Sequence, residues 1–158
     1  MGIRRAGRII ALQCLYQIDI AKKSHEEIKE FIDNYSLLNI IQEDKKESFL
    51  IKSKEFAEEL VKIVMENIDV IDKIIPNYLK NWKFDRLLSI DRNILRLGLA
   101  ELLYRDDIPY KVTINESIEL AKRFGDDKSS SFVNGVLDHI VKNESSNYEV
   151  LRKKLNSK

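Results

Sequence analysis

Ser131-Phe132-Val133-Asn134-Gly135-Val136-Leu137-Asp138, "SFVNGVLD", can be read in two ways, and the choice decides the fold. Asn-Gly is among the strongest turn dipeptides. Yet Phe132, Val133, Val136, Leu137, Ile140 and Val141 recur at helical spacing around it. A turn would interrupt the segment; a helix would run straight through. The periodicity favours the helix, with Ser129 or Ser130 as its cap. A mid-helix glycine costs about 1 kcal/mol against alanine, so Gly135 needs a reason. At ~100° per residue it projects almost opposite the centre of the apolar stripe. The expectation is a central helix, with Gly135 admitting a second helix on its far side. The alternative is an outer face, where Gly135 lets a binding partner approach the backbone closely.

Working outward, the rest of the chain also reads as helical. Residues 3–22 carry a stripe of Ile9, Leu12, Leu15 and Tyr16, with Arg4, Arg5 and Arg8 clustered at the start. Cations there oppose the helix macrodipole, so their placement calls for another explanation. Ser24 is expected to cap a helix over 25–35, and residues 36–47 read as a polar connection. A third helix spans about 48–67, with Phe49, Phe56, Leu60, Val61, Val64 and Ile68 on one side. Ile71, Ile74, Ile75, Tyr78 and Leu79 continue helically, and Pro76 marks a break or a new first turn. Ser89 is expected to cap "IDRNILRLGLAELLYR", and "DDIPY" breaks the chain at Pro109. Thr113 and Glu116 read as a capping box for the next helix, which ends at Gly125 in the left-handed position. No convincing strand or internal repeat is found. The reading is all-α: about seven helices in two small packed bundles.

Composition fits that class. The 158 residues are 44% apolar and 34% charged, enough for a core beneath a heavily solvated helical surface. Two prolines and five glycines are too few for a turn-rich all-β protein. The single cysteine, Cys14, excludes an internal disulfide framework and reads as a small core hydrophobe. No apolar run approaches the ~20 residues of a membrane span. "IIALQCLYQI" lacks the features of a signal peptide, and position 6 is Ala where a myristoylation signal needs Ser or Thr. The expectation is a cytoplasmic protein without membrane attachment.

The net charge of +1 averages over a pattern. Residues 1–23 hold five bases and one acid, residues 24–69 six bases and twelve acids, residues 70–141 eleven of each, and residues 142–158 five bases and two acids. Basic ends around an acidic stretch hint at an anionic partner near the termini. Catalytic chemistry is absent from the motifs. The glycines cannot build a phosphate loop or dinucleotide fingerprint, and neither Cys-x-x-Cys nor His-Glu-x-x-His occurs. His25 and His139 stand alone among charged neighbours, so no metal, cofactor or enzymatic activity is expected. What remains is arginine with aromatic residues. Arginines grip phosphates bidentately, and exposed aromatics stack on unpaired bases. From spacing alone, core packing for Tyr16 and solubility for the arginines are the stronger readings.

Three blocks carry a family resemblance: the arginine-rich opening running into Leu15-Tyr16, "LKNWKFDRLLSIDRNILRLGLAELLYR" at 79–105, and "IPYKVTINESIELAKRFG" followed by "SFVNGVLD". They resemble the NusB family of transcription antitermination factors. The resemblance implies one all-helical domain over 1–158, with an N-terminal lobe of roughly 1–80, a C-terminal lobe of 81–143 and a basic tail of 144–158. It implies no enzymatic activity. It implies binding of single-stranded boxA-type RNA together with NusE, a small-subunit ribosomal protein. The pair would join RNA polymerase and other Nus factors in an antitermination complex that acts notably in ribosomal RNA operons. By position, Arg4, Arg5, Arg8, Tyr16, Arg96, Lys128, Ser129 and Phe132 are implied RNA contacts, and Asp91 is implied to grip NusE. The sequence departs from the family at Gly7, where Ala is usual, and in the loop "GDDKSS". The rival readings are a helical protein-binding adaptor and the RNA-binding module of a ribosomal RNA methyltransferase, although 158 residues leave no room for its catalytic domain. A homodimer is an alternative assembly.

Overall fold

A computed structural model describes residues 1–34, 47–145 and 149, apart from the side chain of His25. Of the polar connection expected at 36–47, residues 36–46 lie outside the described residues, as does most of the basic tail, and Glu47 already belongs to the next helix. The fold is all-α, with seven α-helices and two short 3₁₀ turns among the described residues. Two compact units are present, Met1–Lys62 and Ile63–Lys158.

In the first unit, α1 (Ile3–Ala21) ends with Lys22 in the left-handed region, φ 53°, its N–H donating to the Ile18 carbonyl at 3.0 Å. That closes the helix without the usual glycine. α2 (His25–Asp33) opens on the expected Ser24 cap. The Ser24 hydroxyl accepts from Glu27 N–H at 3.3 Å, and Glu27 accepts from Ser24 N–H at 3.4 Å, a reciprocal capping box. α3 (Glu47–Glu66) begins in this unit. The stripe of α1 is buried as expected at Ile9, Leu12 and Leu15, whereas Tyr16 is half-buried. Gly7 is buried against α3: a methyl group there would lie 2.9 Å from the Ser53 carbonyl oxygen.

In the second unit, α4 (Ile68–Ile74) passes into a 3₁₀ turn over Ile75–Tyr78, with Pro76 in its first positions. A second 3₁₀ turn, Phe84–Arg86, leads to α5 (Ser89–Tyr104), α6 (Tyr110–Phe124) and α7 (Ser129–Glu144). These three helices pack on one another, α4 lies against α5, and α7 also meets the Ile75–Tyr78 turn. Burial of Ile94, Leu97, Leu102, Val133, Leu137 and Ile140 follows the helical period. Each such side chain contributes about 1.5–3 kcal/mol when fully buried.

Several local expectations fail here, for identifiable reasons. α6 starts at Tyr110, because Pro109 presets the entering backbone and its carbonyl accepts from Val112 and Thr113 at 3.0 and 3.2 Å. Thr113 is therefore inside the helix, and its hydroxyl donates to the buried Glu101 carboxylate at 3.0 Å. Glu101 takes the hydroxyl that a capping box would have used, from twelve residues away. Leu88 and Lys128 are the residues flanking α5 and α7, so Ser89 and Ser129 are the first helical residues rather than caps. Gly125 is extended, φ −90°, not left-handed. Gly135 is exposed, and a methyl group there would meet nothing within 4 Å. The helix expected to cross at Gly135 is absent among the described residues. The close crossing of this unit is at Gly98, where an added methyl would press on Leu137 and Ser117.

Candidate nucleic-acid interface

In the first unit the candidate residues lie along α1. Its N-terminus has no side-chain cap and no acid in the first turn, so Arg4 and Arg5 add cations where the helix is already electropositive. Both are exposed. The guanidiniums of Arg4 and Arg8 lie over the Phe56 ring, 5.4 and 5.5 Å from its centre, an electrostatic attraction to the π-face. Arg8 is only 3% exposed, so it packs where Arg4 and Arg5 reach solvent. Tyr16 is twelve residues along the helix from Arg4, about 18 Å at 1.5 Å per residue. Cys14 is fully buried, and burial first, with the Glu58 charge second, pushes its thiol up to about 12. It stays a protonated, inert core group.

In the second unit, the loop before α7 is organised around Asp126. Its carboxylate accepts from Lys128 N–H at 2.9 Å and from the Ser129 hydroxyl at 3.1 Å, and Asp126 N–H donates to Ser129 Oγ at 3.0 Å. The Lys128 N–H, with smaller help from Ser129, holds the Asp126 carboxyl below its usual range. Ser129 is 1% exposed, whereas Lys128 is exposed. The loop thus supplies its own anion at the start of α7, where the resemblance implies RNA contacts at Lys128 and Ser129.

Asp91 faces this loop. It is 7% exposed, and its Oδ1 has no hydrogen-bond partner among the described residues. Burial raises its pKa from the usual 3.8; a Ser129 hydrogen bond opposes the rise and the Asp126 charge adds to it. It borders a hollow of about 370 Å³ together with Trp82, Leu88, Lys128 and Phe132. A raised folded pKa favours the protonated fold: the stabilisation is full below the unfolded value and lost as pH rises through the folded one. Asp91→Asn should therefore raise stability at neutral pH by roughly 1 kcal/mol, the scale of a buried unmet polar group. The advantage should shrink on acidification toward 3.8. Urea unfolding at pH 7 and pH 4 checks this, and a destabilised variant at pH 7 would show that the fold compensates the charge.

Arg96 donates to both Asp72 oxygens, at 2.9 and 2.8 Å, and to Asn93 Oδ1 at 3.1 Å, with its guanidinium 5.4 Å from the Phe84 ring centre. It ties α5 to α4. Phe132 is half-buried and borders two hollows, the one beside Asp91 and another of about 540 Å³. Trp82, which the sequence reading did not single out, is 61% exposed and borders the same two hollows. It stood in the quoted block "LKNWKFDR", and its signal was an indole among charged neighbours with no helical stripe to bury it. Among the described residues no cluster of His, Cys, Asp or Glu could hold a metal ion, and no helix is long and apolar enough to cross a membrane.

The family model described as the NusB family matches residues 5–142. The transcription antitermination protein NusB of Myxococcus xanthus is 46% identical over 141 residues, 89% of this chain and 96% of that protein. The protein of the same name from Bacillus subtilis is 44% identical over 137 residues, 87% and 93% of the two chains. Among solved structures, T. maritima NusB matches with a TM-score of 0.71 at 39% identity, covering 89% of this chain and 91% of that one. The antitermination factor NusB in a complex with NusE and double-stranded RNA matches at 0.71 and 33% identity, covering 89% and 96%.

Proposed function

The chain belongs to the NusB family, and from that premise we propose that it is a transcription antitermination factor. It binds single-stranded boxA-type RNA together with the ribosomal protein NusE. With RNA polymerase and other Nus factors it favours reading through terminators, notably in ribosomal RNA operons. It works in the cytoplasm by binding rather than by catalysis. The observation that carries this reading is the similarity of antitermination proteins along nearly the whole chain. The site chemistry supports it: exposed Arg4 and Arg5 can meet phosphates, and Tyr16 and Phe132 offer aromatic faces. Lys128 adds an exposed cation beside Phe132. Asp91, 7% exposed, is the acid assigned to the NusE contact in this reading. Arg8, Arg96 and Ser129 reach RNA only by leaving the contacts they make in this fold.

The test is a titration with a short single-stranded boxA-type RNA and with the corresponding duplex, each with and without NusE, at about 50 and 200 mM salt. Single-stranded RNA should bind more tightly than duplex, NusE should strengthen binding, and the higher salt should weaken it. Binding of NusE with no RNA affinity in any mixture would favour the protein-binding adaptor instead.

A further inference from the structure

Gly135 has no internal justification. It is exposed, its φ is not positive, and an added methyl would touch nothing. Neither packing nor backbone geometry excludes alanine, which would be about 1 kcal/mol better in a helix. What the missing side chain does is leave open the 540 Å³ hollow between Trp82 and Phe132, a volume within the ~300–1,000 Å³ range of ligand clefts. We infer that this hollow receives one unpaired RNA base, stacked against Trp82 and Phe132 over the bare backbone at Gly135. The inference rests on the RNA-binding reading above and adds a site to it.

Three features point to a nucleotide. Trp82 leaves most of its indole in solvent, whereas a side chain of this size ordinarily contributes more when buried. Tyr78, Trp82 and Phe132 all border the hollow, and aromatic side chains suit a flat π-system; stacking tolerates any base because every base has a π-face. Lys80 and Lys142 border the same hollow, with Asp138 the acid beside them, paired to Lys142 at 2.8 Å. An aromatic surface with lysines at its edge matches the two-part chemistry of a nucleotide, base and phosphate.

Trp82 is the only tryptophan of the chain, so its fluorescence reports on the two hollows it borders, and Gly135, which lines only this one, separates them. Unlabelled single-stranded boxA-type RNA should quench it, with the midpoint seen in the anisotropy of a labelled copy. Gly135→Leu should fill the hollow, abolish quenching and weaken RNA binding about 5- to 150-fold, the range for one lost stacked base. Its unfolding midpoint should not fall, because the position is exposed. RNA binding without quenching, or unchanged RNA affinity in Gly135→Leu, would overturn the inference and leave the RNA-binding reading standing. Absence of any RNA binding by anisotropy would remove both. Loss of NusE binding alone in Gly135→Leu would make the hollow a protein contact and likewise overturn the inference.

Discussion

Replacing Arg4 and Arg5 together with Ala is expected to flatten the log–log salt dependence of RNA binding by about 1.4. Each phosphate neutralised on a single strand contributes about 0.7 to that slope. Between 50 and 200 mM salt the wild type should therefore lose roughly seven-fold more affinity than the double variant. The family resemblance grouped Arg8 with these two as RNA contacts. At 3% exposure over Phe56, Arg8 belongs to the packing of α1, so Arg8→Ala should lower the unfolding midpoint and leave the slope alone. Phe132→Ala should behave differently again, costing RNA affinity with little change in slope, because stacking releases few counterions. An unchanged slope in the Arg4/Arg5 double variant would mean that the first turn of α1 touches no phosphate.

The contrast between Arg5 and Arg8 shows where the sequence stopped being legible. Period and composition were enough for α1, α3, α5 and α7, because burial of one stripe is what stabilises each helix, and that stripe is written locally. The Ser24 cap was legible for the same reason: both partners lie within four residues. Thr113 looked identical in type to Ser24, but its partner Glu101 sits on the preceding helix, and only the fold brings it there. Arg96 is the same case, with Asp72 twenty-four residues away. Family resemblance placed functional labels on residue positions, but it carried no burial. It named Arg8 and Ser129 without their enclosure and passed over Trp82. Exposure of one indole depends on which neighbouring helices fail to cover it, and no window of sequence records that.

Glycine is where local and tertiary reasoning diverge most, and it gives the largest expected stability effect. Gly7→Ala looks conservative, since alanine is the better helix former by about 1 kcal/mol. The geometry requires the opposite outcome. The added methyl would lie 2.6 Å from Phe56 Cδ1 and 2.9 Å from the Ser53 carbonyl oxygen. The oxygen is backbone of α3 and cannot rotate away, and the Phe56 ring already lies beneath two guanidiniums. α1 and α3 must therefore move apart. Overpacking of this kind typically costs 1–3 kcal/mol, which exceeds the propensity gain over most of its range. Gly7→Ala should unfold at a lower temperature than wild type, and Gly7→Leu should fail to form a cooperative first unit. Gly135→Ala, with the same chemical change at an exposed helical site, should instead gain about 0.4–1 kcal/mol. Thermal unfolding of the two alanine variants side by side decides the matter: a Gly7→Ala protein at least as stable as wild type would mean that α1 and α3 have slack to absorb a methyl, and that the close approach at Gly7 is not what selects glycine there.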